Sequence, residues 1–310
     1  MKKTEQPQAP KAIPAAQPKV EGENELGIPQ ALMKEATQEA IQLKLQKAPA
    51  SLAVTDPFSK RVDLNDVFKH QQVNELQGII RAAIAQCSMV LVSGPPGVGK
   101  TTGVRCVTDE LQPNKFNVVY LGQDQHGVNL LSRFSEVLGL PTKRFRQHLV
   151  LQLGQWLSGN VADGGKSVIL IVDEAHLLDD QTLEELRLLS NADFDRQSSF
   201  TLIMIAQPWL RARLKSPFFE PLSQRIRYRY SLEGLSKEDT FNYVRGRLLT
   251  AGLSPTVFSD EALQQIFAYS EGIPRKVNNL CSHLMLKVQS LDLLEINAGL
   301  VKQVIDSQDI

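Results

Sequence analysis

The most informative segment of this 310-residue chain is Gly94-Pro95-Pro96-Gly97-Val98-Gly99-Lys100-Thr101. It matches the pattern GxxxxGK[ST] without a gap, directly after the apolar run Met89-Val90-Leu91-Val92 and before a predicted helix. Glycines allow main-chain amides to turn inward around phosphate groups, and the N-terminus of the next helix adds its dipole. A glycine-rich turn without function is the alternative, but it does not explain the flanking strand and helix. The segment therefore predicts a loop that binds a polyphosphate.

Individual residues of this loop have distinct predicted contacts. We expect the Lys100 ammonium to bridge the outer phosphates and the Thr101 hydroxyl to ligate Mg²⁺. The predicted nucleotide-binding residues of this region are Gly94, Pro95, Pro96, Gly97, Val98, Gly99, Lys100, Thr101 and Thr102.

A pair of acidic residues, Asp173-Glu174, follows the continuous apolar run at 168–172. Such a run is typical of a strand buried on both sheet faces. We predict that Asp173 holds the Mg²⁺ and that Glu174 is the general base for an attacking water. A surface Asp-Glu pair after a core strand is the alternative. The string Asp173-Glu174-Ala175-His176 also occurs in DEAH helicases, but the chain is too short for a second motor domain, so His176 is interpreted as a structural or coupling residue.

Further segments at 118–121, 202–206 and 225–230 have the composition of strands. The segment 225–230 alternates between apolar and polar residues, which predicts a half-exposed edge strand. Because the strands alternate with helices, the sequence predicts a parallel α/β sheet of about five strands.

Gln207 is the polar residue at the end of the fourth predicted strand. We expect this strand to lie between the loop strand and the acidic strand, an arrangement typical of the additional-strand ATPases. A polar side chain at that position can orient the lytic water, so Gln207 is predicted to be catalytic.

Composition divides the chain into four predicted regions. Residues 1–27 are polar and Pro-rich and predict a disordered arm. Residues 28–55 predict a helix and a linker, residues 56–233 the α/β ATPase domain, and residues 234–310 a small helical domain. In the last region, Ser236, Ser259 and Asn297 are candidate helix caps.

The charge is balanced, with 34 Lys and Arg against 34 Asp and Glu. A chain-wide basic character is therefore excluded, and any nucleic-acid site must be a local patch. Cys87, Cys106 and Cys281 form no CxxC pair and predict reduced thiols. No run approaches the roughly 18 apolar residues that span a bilayer. We therefore expect a cytoplasmic protein that makes no membrane contact.

From about residue 56 to 305, the chain resembles the AAA+ superfamily, and within it the ExeA-like ATPases and the target-selecting ATPases of Mu-like and similar DNA transposons. The motifs behind the resemblance are Asp56-Pro57-Phe58, the loop at 94–101, Val172-Asp173-Glu174-Ala175-His176, Ile205-Ala206-Gln207-Pro208, Leu222-Ser223-Gln224-Arg225-Ile226 and Gly272-Ile273-Pro274-Arg275-Lys276-Val277-Asn278. The resemblance implies an AAA+ P-loop fold, α/β with a parallel five-stranded sheet flanked by helices and a C-terminal helical lid. It also implies ATP hydrolysis with ATP and Mg²⁺ as cofactors.

By the same resemblance, Arg225 matches the arginine finger that reaches the ATP site of a neighbouring subunit. Arg275 matches the second sensor, which contacts the γ-phosphate from the lid. Both roles add a cation where phosphate charge develops. The alternatives are a surface arginine of an edge strand for Arg225, with Arg227 as the next finger candidate, and a local helix-start arginine for Arg275. The finger role implies a homo-oligomeric ring or filament.

The related transposition ATPases assemble on double-stranded DNA, so the resemblance implies DNA as a partner. Candidate DNA contacts are Lys143, Arg144 and Arg146, with His148 beside them. If each subunit makes three phosphate contacts, the logarithm of the DNA-binding constant should fall with the logarithm of the salt concentration at a slope near −3, at about −0.9 per phosphate. The alternative interpretation is a solvated helix face or charges at a subunit interface. Arg211, Arg213 and Lys215 form a second basic cluster with the same two interpretations.

Three functional hypotheses remain from the sequence. The leading one is an ATP-dependent DNA-binding oligomer that regulates transposition and recruits or activates a transposase together with target-selection proteins. The second is an ExeA-like secretion or envelope-assembly ATPase that acts on protein partners. The third is a replicative clamp or helicase loader.

Overall fold

The computed structural model describes residues 56–59, 67–122, 130–190, 198–291 and 295–307. They lie in the compact unit Thr55–Ile310. The arm predicted for residues 1–27 and the helix and linker predicted for 28–55 lie outside the described residues.

The centre of the structure is a five-stranded parallel sheet with the strand order β2-β3-β4-β1-β5. This architecture confirms the predicted sheet, and β4 lies between the loop strand β1 and the acidic strand β3, as expected. The strands are β1 (Met89–Ser93), β2 (Phe116–Leu121), β3 (Ser167–Val172), β4 (Thr201–Ala206) and β5 (Ile226–Ser231).

Helices cover both faces of the sheet, which explains the apolar strands. Every residue of β1 and β4 is buried, as in parallel strands packed on two sides. The helices of the sheet domain are α1 (Gln71–Ala85), α2 (Lys100–Thr108), α3 (Leu130–Val137), α4 (Arg146–Ala162), α5 (Asp180–Leu189), α6 (Pro208–Arg213) and α7 (Glu220–Arg225).

The edge strand β5 alternates in burial, as its sequence predicts, but it begins one residue later than predicted. Ile226 is the first residue paired with β1, opposite Met89. Arg225 is instead the last residue of α7. The alternating pattern could not locate this boundary because the short helix leads directly into the strand. The interpretation of Arg225 as a residue of the edge strand is therefore wrong.

The C-terminal region is helical and follows β5. Its helices are α8 (Lys237–Thr250), α9 (Asp260–Ser270), α10 (Pro274–Leu291) and α11 (Ala298–Asp306). The predicted caps are present: the side chains of Ser236, Ser259 and Asn297 each accept a hydrogen bond from the main-chain N–H of the third residue of the helix. Phe58, from the start of the described chain, packs in the hydrophobic core of this lid.

The segment that leads from β5 into the lid packs closely, main chain against main chain, on the turn between α9 and α10 at two glycines. The Leu235 N–H donates to the Gly272 carbonyl at 2.8 Å. Gly272 has a φ of +72°, and a Cβ at this position would lie 2.0 Å from the Leu235 carbonyl oxygen. A Cβ on Gly234 would lie 2.2 Å from the Glu271 carbonyl oxygen. The junction therefore requires residues without side chains.

We predict that Gly272→Ala lowers the free energy of unfolding by at least about 2 kcal/mol, because left-handed backbone costs about 1–2 kcal/mol for an L-residue and the methyl group overlaps main chain. The matched control is Gly246→Ala in α8, where no atom lies within 4 Å of the added Cβ. Helix propensity should make that control neutral or slightly stabilising. Urea denaturation measures both, and equal midpoints for the two variants would contradict the prediction.

Candidate functional site

The glycine-rich loop lies at the carboxyl edge of the sheet, between β1 and α2. Gly97 and Gly99 have φ values of +81° and +104°, in the left-handed region that glycine adopts without strain. Gly97 also faces the lid, since a Cβ there would lie 2.5 Å from the Cβ of Arg275. The loop therefore has the backbone geometry of a phosphate cradle at the start of a helix.

The Lys100 ammonium is buried inside this loop. It donates to the carbonyl oxygens of Gly94 and Pro95, both at 2.9 Å. Burial lowers the pKa of Lys100, while the nearby carboxylates of Glu174 and Asp173 oppose this shift. The side chain thus lies among the main-chain groups of the loop, where the sequence pattern places it.

Asp173 follows β3 and meets the loop through Thr101. Its Oδ2 accepts hydrogen bonds from Thr101 Oγ1 and from the Tyr120 hydroxyl, each at 2.8 Å, and its Oδ1 accepts from the Glu174 N–H at 2.8 Å. The carboxylate is buried, with 7% of the residue exposed. One carboxylate and one hydroxyl are hard oxygen ligands, which fits Mg²⁺ when phosphates complete its coordination. Among the described residues, no group of three or more His, Cys, Asp or Glu side chains could hold a metal ion.

Tyr120 is a site residue that sequence reasoning missed. It lies near the end of β2, paired in register with Ile171 of β3. Burial and the hydrogen bond to Asp173 raise the pKa of Tyr120, so its hydroxyl remains a donor. The available signal was positional, because the carboxyl ends of adjacent parallel strands meet at one edge.

Glu174 has an unusual backbone conformation beside Asp173. Its φ of 52° and ψ of 35° lie in the left-handed region, which costs a non-glycine residue about 1–2 kcal/mol. Its carboxylate Oε2 lies 3.3 Å from Nε2 of His176, and its side chain is 35% exposed. Such strain often occurs at functional sites. The predicted base is thus next to the predicted metal ligand and open toward the cleft.

Gln207 lies directly after β4, at the N-cap of α6. Since β4 separates β1 from β3, Gln207 is at the same carboxyl edge as the loop and Glu174. Its main-chain N–H donates to Nδ1 of His176 at 3.3 Å. The structure therefore brings the fourth strand's polar residue next to the acidic motif, as the sequence predicts.

The loop and the lid enclose a cleft of about 560 Å³. Arg275, in the first turn of α10, donates its main-chain N–H to the Gly97 carbonyl at 3.2 Å and lines this cleft. Phe68 and His70 line it as well, with their rings stacked at 6.0 Å. Burial lowers the pKa of His70, while Asp239 opposes the shift. A phosphate loop, a cationic lid residue and an aromatic wall thus face one space.

Arg225 lies at the end of α7, directly before β5. Within the described part of the chain it is not among the residues that line the cleft. Its guanidinium contacts the Ser190 hydroxyl at 3.5 Å.

The predicted DNA-contact residues separate into two groups. Arg146 contacts Glu185 at 2.9 Å and donates to the Thr182 hydroxyl at 2.6 Å, so its guanidinium is engaged within the chain. In contrast, Lys143 and Arg144 are exposed. In the second cluster, Arg213 similarly donates to the Leu178 carbonyl and pairs with Asp180, whereas Arg211 and Lys215 are exposed.

The strand order, the loop between β1 and α2, the acidic residues after β3 and the helical lid define the class of this protein. It has the AAA+ P-loop fold. Residues 83–214 match the AAA domain family.

The chain is similar to general secretion pathway protein A of Aeromonas hydrophila, with 36% identity over 200 residues. That match covers 64% of this chain and 36% of the relative, so the chain spans little more than a third of it. Within the described parts of the chain, no helix combines the length and apolar character needed to cross a membrane.

Solved structures show the same fold at low sequence identity. The Aeropyrum pernix ORC2 protein, in ADPNP–ADP complexes, matches with a TM-score of 0.59 and 13% identity, over 81% of this chain and 71% of its own. The Thermotoga maritima RuvB Holliday junction branch migration motor matches with a TM-score of 0.53 and 20% identity, over 82% of this chain and 74% of its own. Cdc6p of Pyrobaculum aerophilum matches with a TM-score of 0.58 and 18% identity, over 77% of this chain and 67% of its own.

Proposed function

We propose that this chain is a Mg²⁺-dependent ATPase whose active site is completed by a neighbouring copy. The observation that carries the proposal is the meeting of Lys100, Thr101, Asp173 and Glu174 at one edge of the sheet, facing Arg275 of the lid. A buried ammonium, a hydroxyl–carboxylate pair and a glutamate beside them suit phosphoryl transfer to water.

Each residue then has a separate task. Lys100 and the loop amides bind the phosphates, and Thr101 with Asp173 would hold Mg²⁺. Bound Mg²⁺ neutralises phosphate charge. Glu174 accepts a proton from the attacking water, and Gln207 helps to orient that water.

Charge on the transferred phosphate requires cations on more than one side. Arg275 supplies one from the lid, because its main chain contacts Gly97 of the loop. Arg225 lies at the end of α7, and on its match to the arginine finger we assign it to the site of the adjacent subunit in a homo-oligomer. ATP is then bound and hydrolysed at the interface between two subunits.

We predict that Glu174→Gln and Arg225→Ala each bind ATP but lose at least about 100-fold in turnover, since one removes the base and the other the cation supplied in trans. Mixing the two inactive variants should restore part of the turnover. In the mixed oligomer, Glu174 of the Arg225→Ala subunit meets Arg225 of the other subunit. Steady-state phosphate release measures the effect.

The control for this experiment is Glu238→Gln, which changes an exposed glutamate in the first turn of α8 and should turn over like the wild type. A mixture that stays inactive, although both variants bind ATP and form oligomers, contradicts the assignment of Arg225 to the neighbouring site. Full turnover by Glu174→Gln contradicts the assignment of the base.

For the partner, we propose double-stranded DNA bound through its phosphates. The support is the exposed pair Lys143 and Arg144 just before α4, which forms no ion pair among the described residues. Because Arg146 is engaged with Glu185, two phosphate contacts per subunit remain. The expected slope of the log binding constant against the log salt concentration becomes about −2 rather than about −3. A role in transposition, with a transposase and target-selection proteins as partners, is proposed on the motif resemblance alone.

A protein partner is the competing proposal. It is supported by the 36% identity to general secretion pathway protein A, whose name places that relative in secretion. In that case the exposed basic pair would belong to a protein interface. A measurement of DNA binding distinguishes the DNA-partner proposal from the protein-partner proposal.

We predict that the wild type retards duplex DNA in a gel when a non-hydrolysable ATP analogue is present, and that replacing Lys143 and Arg144 together by Ala weakens binding and flattens its salt dependence by about 2. Lys166→Ala, which removes an exposed lysine just before β3, is the control and should leave binding unchanged. If the wild type binds no DNA with or without the analogue, the protein-partner proposal replaces the DNA proposal.

A further inference from the structure

His176 is buried between two residues of the proposed active site. Only 3% of the residue is exposed. On one side, its Nδ1 accepts the main-chain N–H of Gln207 at 3.3 Å. On the other, its Nε2 lies 3.3 Å from Oε2 of Glu174. The imidazole therefore joins the end of β4 to the predicted general base.

These two contacts determine where the proton of the ring lies. A main-chain N–H can only donate, so Nδ1 must present its lone pair to Gln207 and cannot carry a proton. In a neutral imidazole the single proton is then on Nε2, which faces the Glu174 carboxylate. The main-chain N–H of Gln207 thus selects the His176 tautomer that donates to the Glu174 carboxylate.

The position of the Glu174 carboxylate depends on this contact. The main chain of Glu174 is held by its N–H bond to Asp173, while its side chain is partly exposed. A donor at Oε2 restricts that rotation and leaves Oε1 as the acceptor for water. Outer-shell residues that orient metal ligands contribute about 10- to 100-fold in affinity or activity, and we expect an effect of the same size on the orientation of Glu174.

The imidazole also contacts a helix that reaches the surface. Its ring meets the Trp209 ring edge-to-face, at 4.9 Å and 80°. Trp209 belongs to α6 and is 47% exposed. The same histidine is thus in contact with the base, with the end of β4 and with the exposed side of α6.

We propose that His176 is a positioning residue for ATP hydrolysis. In its neutral form protonated on Nε2, it holds the Glu174 carboxylate in place, and the Gln207 main chain and Trp209 hold His176. This inference rests on the proposed function for the role of Glu174, but the tautomer of His176 does not depend on hydrolysis.

Two substitutions of His176 distinguish a role in positioning the Glu174 carboxylate from a role in packing alone. His176→Gln places an amide donor near the site of Nε2, whereas His176→Asn places an amide oxygen near the site of Nδ1. We expect the Gln variant to retain most of the turnover. We expect the Asn variant to lose about 10- to 100-fold in kcat with its KM for ATP unchanged, because the residue does not bind the nucleotide.

The reverse order would overturn the proposal, because it would mean that the bond to Gln207 is what matters. Equal turnover in both variants would overturn it as well. ATP affinity and the urea midpoint of each variant identify any loss that comes from misfolding.

The tautomer is measured independently by long-range ¹⁵N–¹H NMR on the full chain labelled at its five histidines, with the His176 signals identified by their absence in His176→Gln. The proposal predicts a neutral ring protonated on Nε2. A ring protonated on Nδ1, or on both nitrogens, contradicts it. If the wild type shows no ATP turnover, the proposed function fails, and this measurement still decides the placement of the His176 proton.

Discussion

The turn between β1 and α2 constrains the rest of this structure. Main-chain amides converge on a phosphate here because the chain leaves a buried strand, passes through left-handed glycines and enters a helix at once. Gly97 and Gly99 provide that geometry, and α2 begins at Lys100. Because all strands are parallel, the same edge also receives Asp173 and Gln207 from the ends of β3 and β4. The lid then has to approach closely, which it does where Arg275 meets Gly97.

The hydrogen bonds at this edge form two connected groups. In one, Asp173 accepts from Thr101 and Tyr120, which orients the carboxylate that would share Mg²⁺ with the loop. In the other, His176 lies between Glu174 and the Gln207 main chain. The Glu174 N–H bond to Asp173 Oδ1 connects the two groups. Metal ligand, base and the end of β4 are therefore positioned by one set of contacts.

Local patterns were sufficient to predict the sheet, the loop and the acidic motif, because buried parallel strands and glycine-dependent turns have strong signatures. Two features depended on tertiary contacts instead, and a third lacked a local signal. Tyr120 joins the site only through the pairing of β2 with β3, and Arg146 is engaged because α4 packs near Glu185. The helix that ends at Arg225 was missed because its six residues lack a periodic pattern. Charge along the sequence cannot show which arginines are already paired.

The most direct test is a calorimetric titration of a slowly hydrolysed ATP analogue into the full chain, with and without Mg²⁺. Saturable binding that tightens with Mg²⁺ is predicted, because Thr101 and Asp173 supply its protein ligands and Lys100 the ammonium for the phosphates. Lys100→Ala should abolish binding, and Asp173→Asn should remove most of the Mg²⁺ effect. If the wild type shows no saturable binding, or if Lys100→Ala binds equally well, the loop and the acidic strand do not form a nucleotide site.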